Sequence, residues 1–292
     1  MMDLKAYLAE RSSLVNDFLK KRIGVGAISP VDEAMAYSAL AGGKRLRPIL
    51  LMAAADAVGG KGTDFLCVAS ALEMIHTYSL IHDDLPEMDN DDYRRGRLTN
   101  HKVFGQAMAV LAGDGLLTQA FEVMTEQQGV APDTMLEIIH LIARCAGPEG
   151  MVGGQALDIG AENKHLTPAE MKQLHEAKTG ALFIASIRSG AILGGGSKEE
   201  INGLTKFAAL FGLAFQITDD ILDVEGDARI MGKNAGMDEK MNKSTYVSLY
   251  SLEKAKEMAL DTLNEAEEVL RPFGEKAEPL LEIAKHLYNR KK

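Results

Sequence analysis

The most concentrated group of chemically active residues lies in the stretch HDDLPEMDNDDYRRGRLTNH. Six carboxylates fall between residues 83 and 92, and three arginines follow them. Carboxylates at this density repel one another unless a bound cation or proton compensates them. Their hard oxygen ligands favour Mg²⁺ or Ca²⁺ over zinc. An EF-hand calcium loop needs Gly at its sixth position and Glu at its twelfth, which here are Arg94 and Asn100. We therefore expect a magnesium site at which Arg94, Arg95 and Arg97 bind phosphate oxygens.

The outer aspartates of this cluster, Asp83 and Asp89, are six residues apart, which an undisturbed helix would place on different faces. Pro86 disfavours helix at Leu85 and removes a backbone donor. The sequence therefore predicts a helix that runs up to Asp84, followed by a bulge that returns Asp89 to the side of Asp83. Both aspartates would then share one ligand.

A second acidic cluster lies in the stretch QITDDILDVEGD, 136 residues further along the chain. Asp219 and Asp223 are four residues apart, so a helix places them on one face, about 40° apart in projection. Their neighbours are strongly apolar, and carboxylates that face an apolar bundle are costly without a compensating cation or proton. A solvated helix face is the alternative, which these apolar neighbours disfavour.

Basic residues outside the first cluster are the remaining candidates for phosphate binding. The stretch GGKRLRP carries Lys44, Arg45 and Arg47 behind two glycines, which permit a close backbone approach. Taken alone, such a stretch is most often solvated surface, and so is an isolated lysine. Three isolated lysines complete the set: Lys178, Lys233 and Lys243.

Helices must position these groups, because apolar residues recur at 3–4 spacing through most of the chain. There is no clean period-2 alternation and no Asn-Gly or Asp-Gly hairpin signal. The Gly- and Pro-containing breaks are short, as in helix–helix connections. We therefore expect an all-α bundle that forms a single domain over residues 1–292. The clearest helical pattern covers residues 8–23, 64–82, 107–124, 203–224 and 251–270.

Composition excludes several classes of protein. The net charge of −10 over 292 residues argues against a general nucleic-acid binder. The N-terminus is charged throughout, and no stretch reaches about 18 uninterrupted apolar residues, so neither a signal peptide nor a membrane span is predicted. Cys67 and Cys145 lack metal-ligand spacing, and we expect both to be reduced and buried in a cytoplasmic protein.

Together these segments resemble the trans-prenyl (polyprenyl) diphosphate synthases, and in particular the bacterial farnesyl diphosphate (geranyltranstransferase) type. GGKRLRP, the two aspartate-rich motifs, KTGAL and GKNAGMDEKMNKSTY occur in family order over about residues 40 to 250. A DDxxD motif alone is a weak signal, but two aspartate-rich motifs 136 residues apart, flanked by RRGRLTNH and KTGAL, are very specific. The resemblance implies an all-α isoprenoid synthase fold of roughly ten core helices around a deep central cavity, in a homodimer.

The resemblance also implies a reaction and a site. The reaction is head-to-tail condensation of isopentenyl diphosphate with an allylic diphosphate, with about three Mg²⁺ ions present when substrate is bound and Mn²⁺ as an alternative ion. By this likeness Asp83 and Asp89 ligate Mg²⁺ from one wall, and Asp219 ligates it from the opposite wall. Supporting carboxylates would be Asp84, Asp220 and Asp223. The allylic substrate, dimethylallyl or geranyl diphosphate, would contact Arg94, Lys178, Thr179, Gln216 and Lys233. Isopentenyl diphosphate would contact Lys44, Arg47, His76 and Arg95.

The chemistry of these residue types agrees with that reaction. Ionisation of the allylic C–O bond releases diphosphate, which leaves readily only when Mg²⁺ and basic side chains neutralise its growing charge. The allylic cation needs a dry apolar cavity, where the Gln216 amide oxygen and the Thr179 carbonyl could stabilise it. Because no carboxylate remains to accept the final proton, we expect the released diphosphate to be the base. For His76 and His82 the alternative is a hydrogen-bonded core histidine.

Product length depends on how far the growing prenyl chain extends. Tyr78 lies five residues before Asp83, roughly 7.5 Å along a helix, with the small Ser79 beside it. An aromatic residue here together with the inserted Pro86 resembles the short-product bacterial pattern, which implies that Tyr78 limits the chain at C15, farnesyl diphosphate. The alternatives are an ordinary core tyrosine, and geranylgeranyl or geranyl diphosphate as product.

Three other functions remain open at this point. A class I terpene cyclase shares the fold, but its second motif usually combines Asn or Asp, Ser or Thr, and Glu, whereas this chain has DDILD. A non-catalytic partner subunit of a heteromeric prenyl synthase tends to lose one aspartate motif, and this chain has both. A helical calcium-binding bundle would leave the basic segments without a function.

Overall fold

The computed structural model describes residues 2–23, 29–161, 164–225 and 244–289, so Lys233 and Lys243 lie outside the described residues. Within these ranges the chain is predominantly α-helical, which confirms the predicted fold class. The α-helices are α1 (Leu4–Arg22), α2 (Pro30–Ala39), α3 (Leu46–Ala57), α4 (Leu66–Asp83), α5 (Asn100–Phe104), α6 (Gln106–Thr125), α7 (Pro132–Ala146), α8 (Met151–Gly160), α9 (Pro168–His175), α10 (Ala181–Leu193), α11 (Lys198–Glu225), α12 (Tyr246–Tyr250), α13 (Leu252–Leu270) and α14 (Glu278–Tyr288).

The chain divides into two compact units. The first comprises residues 3–52 and 61–139, and the second comprises residues 53–60 and 140–292. The expectation of a single domain therefore stays a prediction.

Helix α4 is the central helix of the first unit. It is apolar nearly all round, as expected of a helix that is surrounded by others, and residues 68–75 are all buried. Its main neighbour is α6, which approaches closely at Gly113, where an added Cβ would lie 2.1 Å from Nε2 of His82. The His82 ring also hydrogen-bonds to the Val110 carbonyl at 3.0 Å. The C-terminal end of this buried helix carries the first aspartate group.

Helices α10, α11 and α13 form the centre of the second unit. Phe183 of α10 packs against Phe211 and Phe215 of α11, with ring centroids 5.0 and 5.2 Å apart. The backbones approach closely at Gly212, where an added Cβ would lie 3.1 Å from the Cα of Gly180. This packing holds α11 as one continuous helix, and its last two turns carry the second aspartate group.

A two-stranded antiparallel ribbon is an element that the sequence analysis did not predict. Strand β1 (Tyr93–Arg94) pairs with strand β2 (Arg97–Leu98), so that Arg94 faces Arg97. The turn residues Arg95 and Gly96 both have positive φ, 53° and 73°. Positive φ at both central residues defines a type I′ turn, for which Asn-Gly is the usual sequence. Arg-Gly forms the turn here, so the hairpin signal was missing from the sequence.

Two helical segments, Gly62–Asp83 and Gln106–Thr125, are long and apolar enough to cross a membrane. Burial covers 61% of the apolar window in the first segment and 39% in the second. Core helices of soluble proteins pass the same test of length and composition, so these helices are only weak evidence for a membrane span.

Both cysteines are free thiols, as predicted. The expectation that they are buried was wrong, because Cys67 and Cys145 are each half-buried. Partial burial raises the pKa of both thiols above the ordinary value. Each lies at a helix face that the surrounding helices cover incompletely.

Candidate active site

The first aspartate group forms where α4 ends. The helix ends at Asp83, one residue earlier than predicted, and the N–H of Asp89 donates to the Asp83 carbonyl at 2.8 Å. The N–H of Asn90 donates to the Leu85 carbonyl at 3.0 Å, which closes the same turn. The predicted return of Asp89 to Asp83 is therefore confirmed for the backbone. Asp83 is half-buried and Asp89 is exposed, so the pair lies at the surface of the first unit.

Asp84 has a different environment from its neighbour Asp83. Its side chain is only 5% exposed, and Arg94 donates to its Oδ1 from Nε at 2.6 Å and from Nη2 at 2.5 Å. Arg94 also donates to Asp91 at 3.3 Å. Burial raises the pKa of Asp84 to about 6, although the Arg94 guanidinium acts in the opposite direction. Asp84 thus holds Arg94 at the start of the ribbon.

Arg95 points to the glycine-rich loop that precedes α3. Its Nη1 donates to the Gly42 carbonyl, and a Cβ added at Gly43 would lie 2.7 Å from the Arg95 Cζ. Both glycines have positive φ, 86° and 128°, which favours glycine, and at Gly43 a side chain would also collide with the guanidinium. The exposed Lys44 follows directly. The two neighbouring arginines therefore have different partners: Arg94 contacts Asp84, and Arg95 contacts the glycine-rich loop.

His76 and Arg47 belong to the same cationic cluster as Arg95. Burial, followed by the positive charges of Arg47 and Arg95, holds the pKa of His76 well below its usual value, so the ring is neutral at pH 7. Burial lowers the pKa of Arg47 to about 10, and nearby Arg95 acts in the same direction. The structure thus brings together three of the four residues predicted to bind isopentenyl diphosphate, with Lys44 on the adjoining loop.

Tyr78, the residue predicted to limit product length, is a buried residue of α4 with 6% exposure. Its ring contacts His82 edge-on, with centroids 5.7 Å apart. Burial, and then the charge of Asp83, raises the pKa of Tyr78 to about 12, so the phenol stays neutral. The Ser79 hydroxyl donates to the His76 carbonyl at 3.0 Å. Burial fits both the predicted role of Tyr78 and that of an ordinary core tyrosine.

Lys178 and Thr179 lie in a π-helical turn, Glu176–Gly180, between α9 and α10. Such turns are rare and are frequent at functional sites. A Cβ added at Gly154 of α8 would lie 2.2 Å from the Lys178 backbone nitrogen, so α8 packs tightly against this turn. Lys178 Nζ lies 2.5 Å from Asp158 Oδ2. Asp158 was not among the residues predicted from the sequence, in which the available signal was a lone acidic residue in the otherwise uncharged GGQALDI.

The second aspartate group lies on α11, which places Asp219 and Asp223 one turn apart, as predicted. Both are half-buried, and so is Gln216. Asp220 is buried, and its Oδ2 accepts a hydrogen bond from the N–H of Tyr246 at 2.7 Å. Asp220 thereby connects the end of α11 to the start of α12.

The carboxylates fit a metal that takes only part of its coordination from the protein. Within the described ranges, no three His, Cys, Asp or Glu side chains are arranged to hold a metal ion by themselves. Mg²⁺ usually takes one or two carboxylates and completes its octahedron with water and substrate phosphates. Asp83 with Asp89, and Asp219 one turn from Asp223, offer such hard oxygen ligands. This set fits Mg²⁺ better than a metal that needs a complete protein cage.

Comparison with known proteins identifies the family of this chain. The sequence model of the polyprenyl synthetase family matches residues 29–278. The farnesyl diphosphate synthase of Geobacillus stearothermophilus is 48% identical over 273 residues, which cover 92% of each chain. The chloroplastic geranylgeranyl pyrophosphate synthase of Capsicum annuum is 46% identical, over 98% of this chain and 78% of the relative. Among solved structures, an apo FPP/GFPP synthase from Zymomonas mobilis superimposes with a TM-score of 0.87 at 38% identity, over 98% of this chain and 99% of that one.

The chain belongs to the polyprenyl synthetase family. The family match covers both aspartate groups, the glycine-rich loop, the arginine ribbon and the π-helical turn.

Proposed function

We propose that this chain is a prenyltransferase that condenses isopentenyl diphosphate with dimethylallyl and then geranyl diphosphate, giving farnesyl diphosphate and diphosphate. The observation that carries the proposal is the arrangement at the end of α4. Asp89 returns to Asp83 there, and half-buried Arg47 and His76 form an electrostatically coupled cluster with exposed Arg95 in the same unit. The carboxylates would bind a metal ion that holds one diphosphate, and the separate basic residues would bind a second diphosphate directly. This arrangement suits two diphosphate substrates. Membership of the family supports the same reaction.

Each group of residues has a role in this proposal. Asp83 and Asp89 in the first unit, and Asp219 with Asp223 in the second, hold Mg²⁺. When bound, Mg²⁺ neutralises the charge that develops on the departing diphosphate. Lys178, held by Asp158, donates to the same diphosphate, as does Arg94, which Asp84 orients.

The cluster of Arg47, Arg95 and neutral His76 binds isopentenyl diphosphate together with Lys44. A neutral imidazole offers one N–H donor without adding a fourth positive charge. The Gln216 amide and the Thr179 carbonyl present oxygen dipoles to the allylic cation. Formation of the carbon–carbon bond leaves a cationic carbon, an adjacent C–H bond then breaks to give the product double bond, and the departing diphosphate accepts that proton. Lys233, predicted to contact the allylic substrate, lies outside the described residues, and its role stays a proposal.

The proposed main product is the C15 diphosphate. We assign the chain-length limit to Tyr78, because a large side chain one to two turns before Asp83 would shorten the space for a growing chain. Geranylgeranyl diphosphate is the second candidate, since the Capsicum annuum relative is named a geranylgeranyl pyrophosphate synthase. We also propose that the protein is a cytoplasmic homodimer without nucleic-acid partners.

The test is a product assay on the purified chain with Mg²⁺, labelled isopentenyl diphosphate and each allylic primer in turn. We expect C15 product that disappears with EDTA and returns with Mg²⁺. Asp83→Ala and Asp219→Ala should each lower kcat by orders of magnitude. Asp92→Asn is the matched control, because Asp92 is an exposed carboxylate of the same segment, paired with Lys102 at 2.8 Å, and should retain activity. Near-normal turnover in either alanine variant would contradict the proposed role of that aspartate group.

A further inference from the structure

A buried ion pair lies beneath the glycine-rich loop of the first unit. Nη1 of Arg45 is 2.7 Å from Oε1 of Glu73, and the two side chains are 0% and 2% exposed. Glu73 is the one acidic residue of α4 before Asp83. Replacing a buried pair with well-packed apolar residues is often neutral or stabilising, so stability alone does not explain why the pair is present.

The Arg45 guanidinium joins three helices. Besides Glu73 of α4, it donates from Nε to the Asn16 side chain of α1 at 2.9 Å and from Nη2 to the Ala39 carbonyl at the end of α2 at 2.7 Å. A rigid planar fork can make these three bonds at once, which a lysine cannot. The backbone of Arg45 is also unusual, with a φ of 49°. A non-glycine residue keeps this left-handed conformation only where its surroundings hold it there.

This anchored residue lies between two proposed ligands of isopentenyl diphosphate. Lys44 precedes it, and Arg47 lies in the first turn of α3. The Arg45 carbonyl accepts the N–H of Ile49 at 3.2 Å, so Arg45 is the residue from which α3 begins. A shift of its side chain would move the loop, and with it the start of α3.

Glu73 also acts electrostatically on the cluster of Arg47, His76 and Arg95. Its negative charge opposes the loss of basicity that burial causes at both Arg47 and Arg95. Glu73 also lies three residues before His76, on neighbouring positions of one face of α4. One buried carboxylate thus acts favourably on both Arg47 and Arg95, which repel each other.

We infer that Arg45 and Glu73 are positioning residues for isopentenyl diphosphate: they hold the glycine-rich loop and the start of α3 so that Lys44, Arg47 and Arg95 meet one diphosphate. This inference rests on the proposed assignment of those three residues to that substrate. Neither Arg45 nor Glu73 touches the substrate. Their effect is on the geometry and charge of the residues that do.

The deciding experiment uses the double variant Arg45→Met/Glu73→Leu, which removes both buried charges and leaves neither unpaired. It should remain folded, with a moderately lower melting temperature, because the Asn16 and Ala39 oxygens lose a donor while no buried charge is left unpaired. Its KM for isopentenyl diphosphate should rise about tenfold or more, because a displacement of about 1 Å is enough to cost that much. Its KM for geranyl diphosphate should change by less than about threefold, as expected for a site-specific loss of binding.

Three further variants make the result interpretable. Arg45→Lys keeps the positive charge but loses the planar guanidinium, so it should also raise the KM for isopentenyl diphosphate. This variant tests the positioning role if the double variant does not fold. Val68→Ala creates a small cavity in α4, whose buried core includes Val68, and should lower the melting temperature without raising the KM. Arg47→Ala tests the site itself.

A wild-type KM for isopentenyl diphosphate in a folded double variant, or in Arg45→Lys, would overturn the inference. An equal rise in Val68→Ala would also overturn it, since loss of stability would then be the cause. If Arg47→Ala leaves this KM unchanged, the proposed site fails and the inference fails with it. A rise in Arg47→Ala without a rise in the Arg45 variants would refute the positioning role alone.

Discussion

His175 predicts a loss of stability on acidification that can be measured directly. It is the last residue of α9, immediately before the π-helical turn. Burial lowers the pKa of His175 to about 4; Lys178 adds to this shift, and Asp158 opposes it. The buried Nδ1 has no hydrogen-bond partner among the described residues. The ring is therefore neutral in the folded protein over a range of pH in which an unfolded chain would protonate it.

The sign and size of the effect follow from this shift. The folded pKa lies below the ordinary value of 6.5, so between pH 6.5 and 4 the unfolded chain binds more protons than the folded one. The free energy of unfolding therefore falls as the pH is lowered through this window. A shift of about 2.5 pKa units corresponds to about 3 kcal/mol when fully expressed, and to about 2.5 kcal/mol at pH 4.5.

The perturbation is His175→Phe, which keeps an aromatic ring against Tyr246, whose centroid lies 5.6 Å away. The assay is urea unfolding of both proteins at pH 7 and pH 4.5. Between these conditions the wild type should lose about 2.5 kcal/mol more than the variant. His165→Gln, at an exposed histidine, should behave as the wild type. If wild type and His175→Phe lose the same free energy of unfolding between pH 7 and pH 4.5, the assignment to His175 is wrong, because some other group then causes the acid sensitivity.

Three further outcomes are expected from variants of the proposed site. Tyr78→Ala should extend the products to C20 or longer while early condensations proceed, and C15 as the only product by chromatography would show that Tyr78 does not limit the chain. Arg95→Ala should chiefly raise KM for isopentenyl diphosphate and Arg94→Ala should chiefly affect the allylic substrate, whereas equal effects on both substrates would show that the roles are divided wrongly. Asp158→Asn should raise KM for the allylic substrate by about tenfold, because Lys178 loses the carboxylate 2.5 Å from its amine; an unchanged KM would mean that Lys178 needs no such partner.

Local rules accounted for the elements that carry the site. Period-3.6 patterning predicted α4 and α11, and the stereochemistry of Pro86 predicted the turn that returns Asp89 to Asp83. The same rules failed at the ribbon, because Arg95 occupies a left-handed position for which the sequence offered no Asn-Gly signal. Local rules also did not predict the π-helical turn, where Gly154 packs closely against the Lys178 backbone.

The fold class, the two aspartate groups and the backbone turn at Pro86 could be predicted from local sequence, because periodicity and proline stereochemistry act over a few residues. The pairing of charges became visible only in the folded chain. Arg94 pairs with Asp84, Lys178 with Asp158 and Arg45 with Glu73. The partners are 10, 20 and 28 residues apart along the chain. Spacing in the sequence carries no signal for such pairs, since packing between separate elements brings their side chains together.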